Sequence, residues 1–212
     1  MTVPFPGLKR RLVAILRGVT PEEIGDVGAA VFEAGIQAIE VPLNSPDPFR
    51  SIQILARSLP GHALIGAGTV LSAEQVDLLG DAGGKLLVSP NIDRAVMERA
   101  SVHGMVTMPG VFTPTEALLA VSLGASALKF FPASALGPKG IAAIRTVLPK
   151  ETVIGAVGGV SEKDFGDYAR IGISTFGLGS SLYAAGLDAR AVADRAAAAV
   201  SAWDTVFVQD AG

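Results

Sequence analysis

Eight short apolar runs recur along the chain at intervals of roughly 19 to 26 residues, and amphipathic stretches fill the intervals. The runs lie at 12–18, 38–43, 63–69, 86–90, 105–110, 127–133, 153–159 and 175–180. Several intervening segments carry helix start and stop signals, with Ser or Thr at the cap, Pro in the first turn and Gly at the end. These predicted helices lie at 20–35, 72–83, 113–124 and 137–149. A strand followed by a helix, repeated in this way, predicts a parallel sheet that helices cover on both faces.

Eight such units predict a (β/α)8 barrel, which is an α/β fold. A flavodoxin-like or Rossmann sheet is the alternative, and it needs fewer strands. A chain of 212 residues that is 50% hydrophobic suits one domain with a sizeable core. Since no linker or change of composition divides it, we expect a single domain over 1–212, in which residues 5–11 form a short helical lead-in.

Charge and cysteine content exclude several classes of protein. The formal net charge of -3 and the pI of about 5.4 leave no basic footprint for nucleic acid and no polybasic patch for a membrane surface. The absence of cysteine excludes disulfides, thiolate nucleophiles and Cys-type zinc sites, which suits a reducing compartment. The first residues lack the pattern of a signal peptide. We therefore expect a cytoplasmic protein with no nucleic-acid or membrane partner.

Charged side chains interrupt the apolar runs at three points. Arg17 ends the first run, Glu40 lies within the second and Lys129 lies within the sixth. Active sites of (β/α)8 barrels lie at the C-terminal ends of the strands, so the barrel prediction brings these three groups together.

Lys129 has two interpretations. It can be a structural lysine whose stem covers apolar surface or whose ammonium pairs with Glu40. It can also be a nucleophile, because burial and a nearby cation such as Arg17 lower the pKa of an amine towards the range in which it attacks carbonyls. The resulting iminium draws electrons from an adjacent carbon–carbon bond.

Glu40 has the same two interpretations. The carboxylate can be a counter-ion for Lys129 or Arg17. Alternatively, burial raises its pKa and fits it for proton transfer near neutral pH, and both roles can coexist in one residue.

Glycine-rich turns follow the last two runs, in GAVGGV (155–160) and GLGSSL (177–182). Close packing of strand on helix accounts for many such glycines. The loops after the last two strands of a barrel also form phosphate sites, in which backbone N–H groups face the anion. The turns therefore predict phosphate binding by four residues, which are Gly158, Gly159, Gly179 and Ser180.

The sequence predicts no metal site. The histidines are His62 and His103, which fall before strands or in helix-to-strand loops and lack a carboxylate pair at ligand spacing.

The ordered set of motifs resembles a known family. The motifs are LVAILRG, AIEVPLNSP, LIGAGTVL, SPN, ALKFFPAS, AVGGV and GLGSSLY, and they extend from about residue 12 to about residue 183. Together they are similar to the 2-keto-3-deoxy-6-phosphogluconate and 2-keto-3-deoxy-6-phosphogalactonate aldolases. This resemblance implies a class I aldolase on a (β/α)8 barrel that needs neither metal nor cofactor and is usually trimeric. It also implies that a phosphorylated 2-keto-3-deoxy sugar acid is cleaved to pyruvate and D-glyceraldehyde 3-phosphate.

The resemblance also implies roles for individual residues. Lys129 corresponds to the imine-forming lysine and Glu40 to the acid and base. The residues expected around the pyruvate carboxylate and in the pocket wall are Arg17, Thr69, Pro90 and Phe131.

Asn44 marks a departure from one branch of the family. The gluconate branch carries an arginine just after the catalytic-glutamate strand, where this chain has Asn44 in EVPLNS (40–45). The stretch resembles the galactonate branch, whose substrate differs at the 4-hydroxyl, and dual activity stays open. Two other classes also stay open: a sugar-phosphate isomerase or synthase that forms no imine, and a non-catalytic sugar-phosphate sensor.

Overall fold

The computed structural model describes residues 2–208, and residues 1 and 209–212 of the expected domain lie outside the described residues. The described chain contains nine strands, all paired in parallel. They are β1 (Leu12–Ile15), β2 (Ala38–Pro42), β3 (Leu64–Gly68), β4 (Leu86–Val88), β5 (Val106–Met108), β6 (Gly110–Val111), β7 (Leu128–Phe130), β8 (Ile154–Val157) and β9 (Thr175–Leu178). Each of the eight predicted runs contains at least one strand.

The fifth run supplies two strands because proline interrupts it. Pro109 has no N–H and cannot donate to a neighbouring strand. The residues before it form β5, which pairs with β4, and the residues after it form β6, which pairs with β7. Hydrogen bonds also join the fifth run to the sixth directly: Ala127 N–H donates to the Thr107 carbonyl at 3.0 Å, and Lys129 N–H donates to the Pro109 carbonyl at 2.9 Å. This run therefore closes the ring, and the predicted (β/α)8 barrel is confirmed.

Helices surround the ring. They are α1 (Ile24–Glu33), α2 (Pro48–Ser58), α3 (Ala73–Asp81), α4 (Arg94–Val102), α5 (Pro114–Ser122), α6 (Ala133–Arg145), α7 (Phe165–Ala169) and α8 (Ala189–Phe207). The helix predicted at 137–149 begins earlier, and it breaks at Gly137, where φ is 63°. Within residues 2–208 no helix combines the length and apolar character needed to cross a membrane.

The start of α5 has the predicted capping pattern. Thr113 Oγ1 accepts a hydrogen bond from the Glu116 N–H at 3.3 Å, and the Glu116 carboxylate accepts one from the Thr113 N–H at 2.8 Å. We expect Thr113→Ala to lower the free energy of unfolding by about 1 kcal/mol, because an N–H at the helix start loses its partner. Urea unfolding measures this, with Thr113→Ser as the matched control. An unchanged midpoint for Thr113→Ala would contradict the assignment.

Alternate strand residues face two separate apolar layers. One set packs between strands and helices and includes Leu12, Ala14, Ile39 and Val41. The other set fills the barrel interior. Its members are Val13, Ile15, Ala38, Leu64, Leu86, Val88, Val106, Met108, Ala127 and Val157. Since strand side chains alternate between faces, Glu40 and Lys129 share the interior with these residues.

The N-terminal lead-in is not helical, so that prediction is wrong. Residues 2–11 are irregular. Pro4 and Pro6 explain this, because proline lacks an N–H and biases the residue before it towards extended backbone. Phe5 and Leu8 pack against the interior cluster and cover the N-terminal end of the barrel.

Candidate active site

A cavity of about 150 Å³ opens at the C-terminal end of the barrel. It is lined by Ile15, Arg17, Glu40, Lys129, Phe131, Val157, Gly158, Gly159, Val160, Gly177, Gly179 and Ser180. Eight of these residues belong to the site that the sequence predicts. The C-terminal ends of the strands meet there because the strands are parallel and, apart from the single-residue step between β5 and β6, each connection returns the chain to the opposite end of the barrel.

Lys129 projects into this cavity from β7 and is 5% exposed. Its ammonium nitrogen lies 4.7 Å from the centroid of the Phe131 ring. Burial lowers the pKa of Lys129; the Glu40 carboxylate opposes this effect and the Arg17 guanidinium adds to it. The neutral amine is therefore more populated here than on a lysine in water.

Glu40 projects from β2 into the same cavity and is 1% exposed. Burial raises the pKa of Glu40 to about 7, although Lys129 and Arg17 act to lower it. Its Oε2 has no hydrogen-bond partner among residues 2–208. Gly68 leaves room for this carboxylate, because a methyl group on Gly68 would overlap it. Both protonation states of Glu40 are therefore accessible near neutral pH, which suits proton transfer.

Glu40 and Lys129 do not form a direct ion pair. In the described part of the chain, neither side chain has an opposite charge within 4.0 Å. A structural salt bridge would require that contact. Both side chains nevertheless line the same cavity, so a molecule bound there can meet the amine and the carboxyl group together.

Arg17 connects two predicted residues that do not line the cavity themselves. Its guanidinium donates to Asn44 Oδ1 and, over 3.5 Å, to Thr69 Oγ1. Thr69 has a φ of 58°, which is a strained value for a β-branched residue and costs on the order of 1–3 kcal/mol. With this backbone conformation the Thr69 hydroxyl lies 3.5 Å from the Arg17 guanidinium.

The two glycine-rich turns lie side by side at the cavity rim. Gly158 and Gly159 have φ values of 90° and 72°. A side chain at Gly158 would lie 2.9 Å from the Phe131 ring, and one at Gly159 would lie 2.6 Å from Ser134 Oγ. Only glycine satisfies both the dihedral angle and the space. The backbone of the turn is consequently exposed to the cavity, where N–H groups can face an anion.

Pro90 does not line the cavity. Its carbonyl instead lies against Gly110, where a methyl group would overlap it. The predicted contact of Pro90 with substrate stays a prediction.

Four cavity residues were missed by the sequence reasoning. They are Ile15, Val157, Val160 and Gly177. Ile15, Val157 and Gly177 carried a usable signal, because they occupy inward positions two residues before Arg17, Gly159 and Gly179.

A larger cavity, of about 430 Å³, lies at the opposite end of the barrel. Residues of the N-terminal lead-in line it, including Pro4 and Phe5. Among the described residues, Glu151 is its only ionisable lining group. Chemistry rather than volume therefore identifies the candidate active site.

The histidines lie away from this site. His103 Nε2 contacts Asp77 Oδ1 at 2.7 Å, and Arg99 donates to the same oxygen at 2.6 Å on the outer surface of α3 and α4. The His62 ring packs at 5.3 Å from the Phe32 ring. Within residues 2–208, no three His, Cys, Asp or Glu side chains come together as metal ligands.

Comparisons with known proteins agree with one another. A family model described as "KDPG and KHG aldolase" matches residues 8–198. A protein of Rhizobium meliloti (strain 1021) named "Probable 2-dehydro-3-deoxy-6-phosphogalactonate aldolase" is 60% identical over 205 residues, which cover 97% of each chain. The "2-dehydro-3-deoxy-6-phosphogalactonate aldolase" of Escherichia coli (strain K12) is 47% identical over 92% of this chain and 95% of that protein. A solved structure described as "Native KDPGal structure" superposes with a TM-score of 0.93 at 45% identity, covering 97% of this chain and 99% of that chain.

Proposed function

The chain belongs to the KDPG and KHG aldolase family, and from this premise we propose that it cleaves 2-dehydro-3-deoxy-6-phospho-D-galactonate to pyruvate and D-glyceraldehyde 3-phosphate. The reaction is that of a class I aldolase, which acts through an imine on lysine. One observation carries the proposal: a buried amine, Lys129, shares a small cavity with a buried carboxyl group, Glu40, whose pKa is about 7.

The chemistry begins on Lys129. Its neutral amine attacks the C2 carbonyl of the substrate, and loss of water, assisted by Glu40, gives the iminium. The bond between C3 and C4 then breaks: its electron pair forms the C2–C3 double bond of an enamine, the C=N pair moves to the iminium nitrogen, and the Glu40 carboxylate takes the proton of the 4-hydroxyl. D-glyceraldehyde 3-phosphate leaves, the remaining enamine takes a proton at C3, and water releases pyruvate from Lys129.

Proton transfer is the proposed task of Glu40. A carboxyl group with a pKa of about 7 can give a proton to the departing water and to the enamine, and can take one back. Its Oε2, which has no hydrogen-bond partner among residues 2–208, supports this role, because it is free to bind the proton that the reaction moves.

The two ends of the substrate carry negative charge, and the cavity offers a partner for each. We place the carboxylate beside Arg17, with Thr69 and Asn44 orienting the guanidinium. The phosphate then lies at the turns that contain Gly158, Gly159, Gly179 and Ser180, with Phe131 between the two ends. Backbone N–H groups suit phosphate there without adding another cation to Lys129 and Arg17.

Choice between the 4-epimers is the sharpest test of the substrate. We expect kcat/KM for the galactonate substrate to exceed kcat/KM for 2-dehydro-3-deoxy-6-phosphogluconate by about tenfold or more. The two substrates differ only in the orientation of the 4-hydroxyl, so the contacts of this one group set the ratio. A coupled assay for pyruvate measures both rates. Equal rates would identify a dual aldolase, faster cleavage of the gluconate would identify the other branch, and no pyruvate from either would remove the aldolase proposal.

Organisation and assembly follow from the same proposal. We propose one barrel domain over 1–212 and a cytoplasmic location, as the composition and the N-terminal pattern predict, and a homotrimer, as the family resemblance implies. Sedimentation at several concentrations tests the last point.

A further inference from the structure

Side chains link neighbouring loops at the C-terminal end of the barrel. Ser45 Oγ accepts from the Gly18 N–H at 2.9 Å, which joins the β2 loop to the β1 loop. Tyr183 donates to Glu23 at 2.8 Å, and Ser181 Oγ donates to the Val160 carbonyl at 3.2 Å. The turn after β9 is therefore attached on both sides, to α1 by Tyr183 and to the β8 turn by Ser181.

The hydrogen bond between Tyr183 and Glu23 joins two side chains that are themselves held in place. Tyr183 is 3% exposed, and Glu23 Oε1 also accepts from the Thr20 N–H at 3.2 Å. Burial, with the Glu23 carboxylate beside it, raises the pKa of Tyr183, so the hydroxyl stays a neutral donor.

The backbone of the turn transmits this attachment to the rim of the cavity. The Gly179 carbonyl accepts from the N–H groups of Leu182 and Tyr183 at 2.9 and 2.8 Å. Gly179 and Ser180 line the cavity, whereas Tyr183 does not. Movement of the Tyr183 ring therefore moves the residues that would meet a phosphate.

We infer that Tyr183, through its hydrogen bond to Glu23, is a positioning residue for the phosphate-binding turn at Gly179 and Ser180. The inference rests on the proposed function, since it concerns the phosphate end of that substrate. Backbone donors stabilise an anion only when they are already oriented, and a displacement of about 1 Å weakens them severely. The hydrogen bond between Tyr183 and Glu23 keeps the backbone N–H groups of Gly179 and Ser180 in place before substrate binds.

Condensation of pyruvate with two aldehydes tests the inference. D-glyceraldehyde 3-phosphate and unphosphorylated D-glyceraldehyde share every reacting atom and differ only in the phosphate. For Tyr183→Phe we expect KM for the phosphorylated aldehyde to rise about tenfold, with kcat/KM for D-glyceraldehyde within about twofold of wild type. Tyr168→Phe is the matched control, because Tyr168 is also buried and its hydroxyl donates to the Ala133 carbonyl at 3.4 Å, outside the β9 turn.

Two substitutions of Glu23 test whether the hydrogen bond itself matters. Glu23→Gln keeps an oxygen that accepts from Tyr183 and should behave as wild type, whereas Glu23→Ala should reproduce the loss seen with Tyr183→Phe. If Tyr183→Phe does not fold, Ser181→Ala loosens the same turn and is measured with the same two aldehydes.

Each outcome decides the question. A loss confined to the phosphorylated aldehyde supports the inference. An equal loss with both aldehydes, or no loss with either, overturns it while leaving the aldolase proposal intact. A wild type that forms no borohydride-trapped pyruvate adduct overturns the proposed function instead, and a wild type that prefers neither aldehyde overturns the phosphate site together with this inference.

Discussion

Replacing Lys129 with methionine is expected to lower kcat for cleavage by about 10⁴-fold or more, because the imine cannot form without the amine. Methionine retains the length of the side chain and its contact with the Phe131 ring. Borohydride with pyruvate should leave a pyruvyl adduct on Lys129 in wild type, and Lys129→Met should show none. Mass spectrometry of the intact protein and of its peptides measures both.

Stability separates loss of chemistry from loss of fold in this variant. We expect the free energy of unfolding to stay constant or to rise, because a buried charge is replaced by an apolar group. Without the Lys129 ammonium the pKa of Glu40 moves further up, so its carboxyl group stays neutral and leaves no unpaired charge. Lys139→Met on α6 is the matched surface control. An adduct of the same mass in Lys129→Met would place the imine elsewhere and end the assignment.

Replacing Glu40 with glutamine is expected to reduce kcat by about 10²- to 10⁴-fold, which is the usual contribution of a positioned acid and base. Glutamine preserves the shape of the side chain above Gly68 but cannot exchange a proton. The same change should suppress exchange of the pyruvate methyl protons with D₂O, which NMR follows directly. The adduct on Lys129 should still form, since loss of the Glu40 carboxylate lowers the pKa of Lys129 further and leaves more neutral amine.

The pH dependence of pyruvate proton exchange tests whether Glu40 acts as the base. Exchange requires the carboxylate as base, and burial raises the pKa of Glu40 to about 7. The ratio of wild-type to Glu40→Gln exchange rates should therefore rise about tenfold per unit below pH 7 and level off above it. Because the pKa of Lys129 is lower in Glu40→Gln, the pH dependence of adduct formation is measured for each protein, and each exchange rate is first divided by the fraction of neutral Lys129. A ratio that does not change between pH 5.5 and 8.5 would exclude Glu40 as the base.

Most of the fold was predictable because periodicity is a local property of the chain. The eight runs, their spacing and the Thr113 cap each depend on residues close in sequence. The break at Pro109 was not predicted, since its effect depends on which strands lie on either side. The helix predicted at 5–11 does not form, because Pro4 and Pro6 remove backbone donors and favour extended backbone in the residues before them.

Some residues of the candidate active site were identifiable from the sequence and others were not. Lys129, Glu40 and Arg17 were identifiable because a charge inside an apolar strand is conspicuous without any structure. Ile15 and Val157 were less evident: strand alternation places them on the inward face, but an apolar residue there fits a packed core as well as a cavity wall. Tyr183 and Glu23 lie 160 positions apart, and nothing in either local stretch indicates that they meet.

The sequence by itself determined the alternation of strands and helices, the charged residues within the strands and the glycines of the two turns. Only the tertiary structure decided that Glu40 and Lys129 share one cavity without an ion pair, that Asn44 and Thr69 hold Arg17, and that Tyr183 braces the β9 turn. The reason is physical. Secondary structure follows from dihedral preferences and side-chain period, which act over a few residues, whereas burial, pKa shifts and cross-loop hydrogen bonds depend on groups that come together only when the barrel closes.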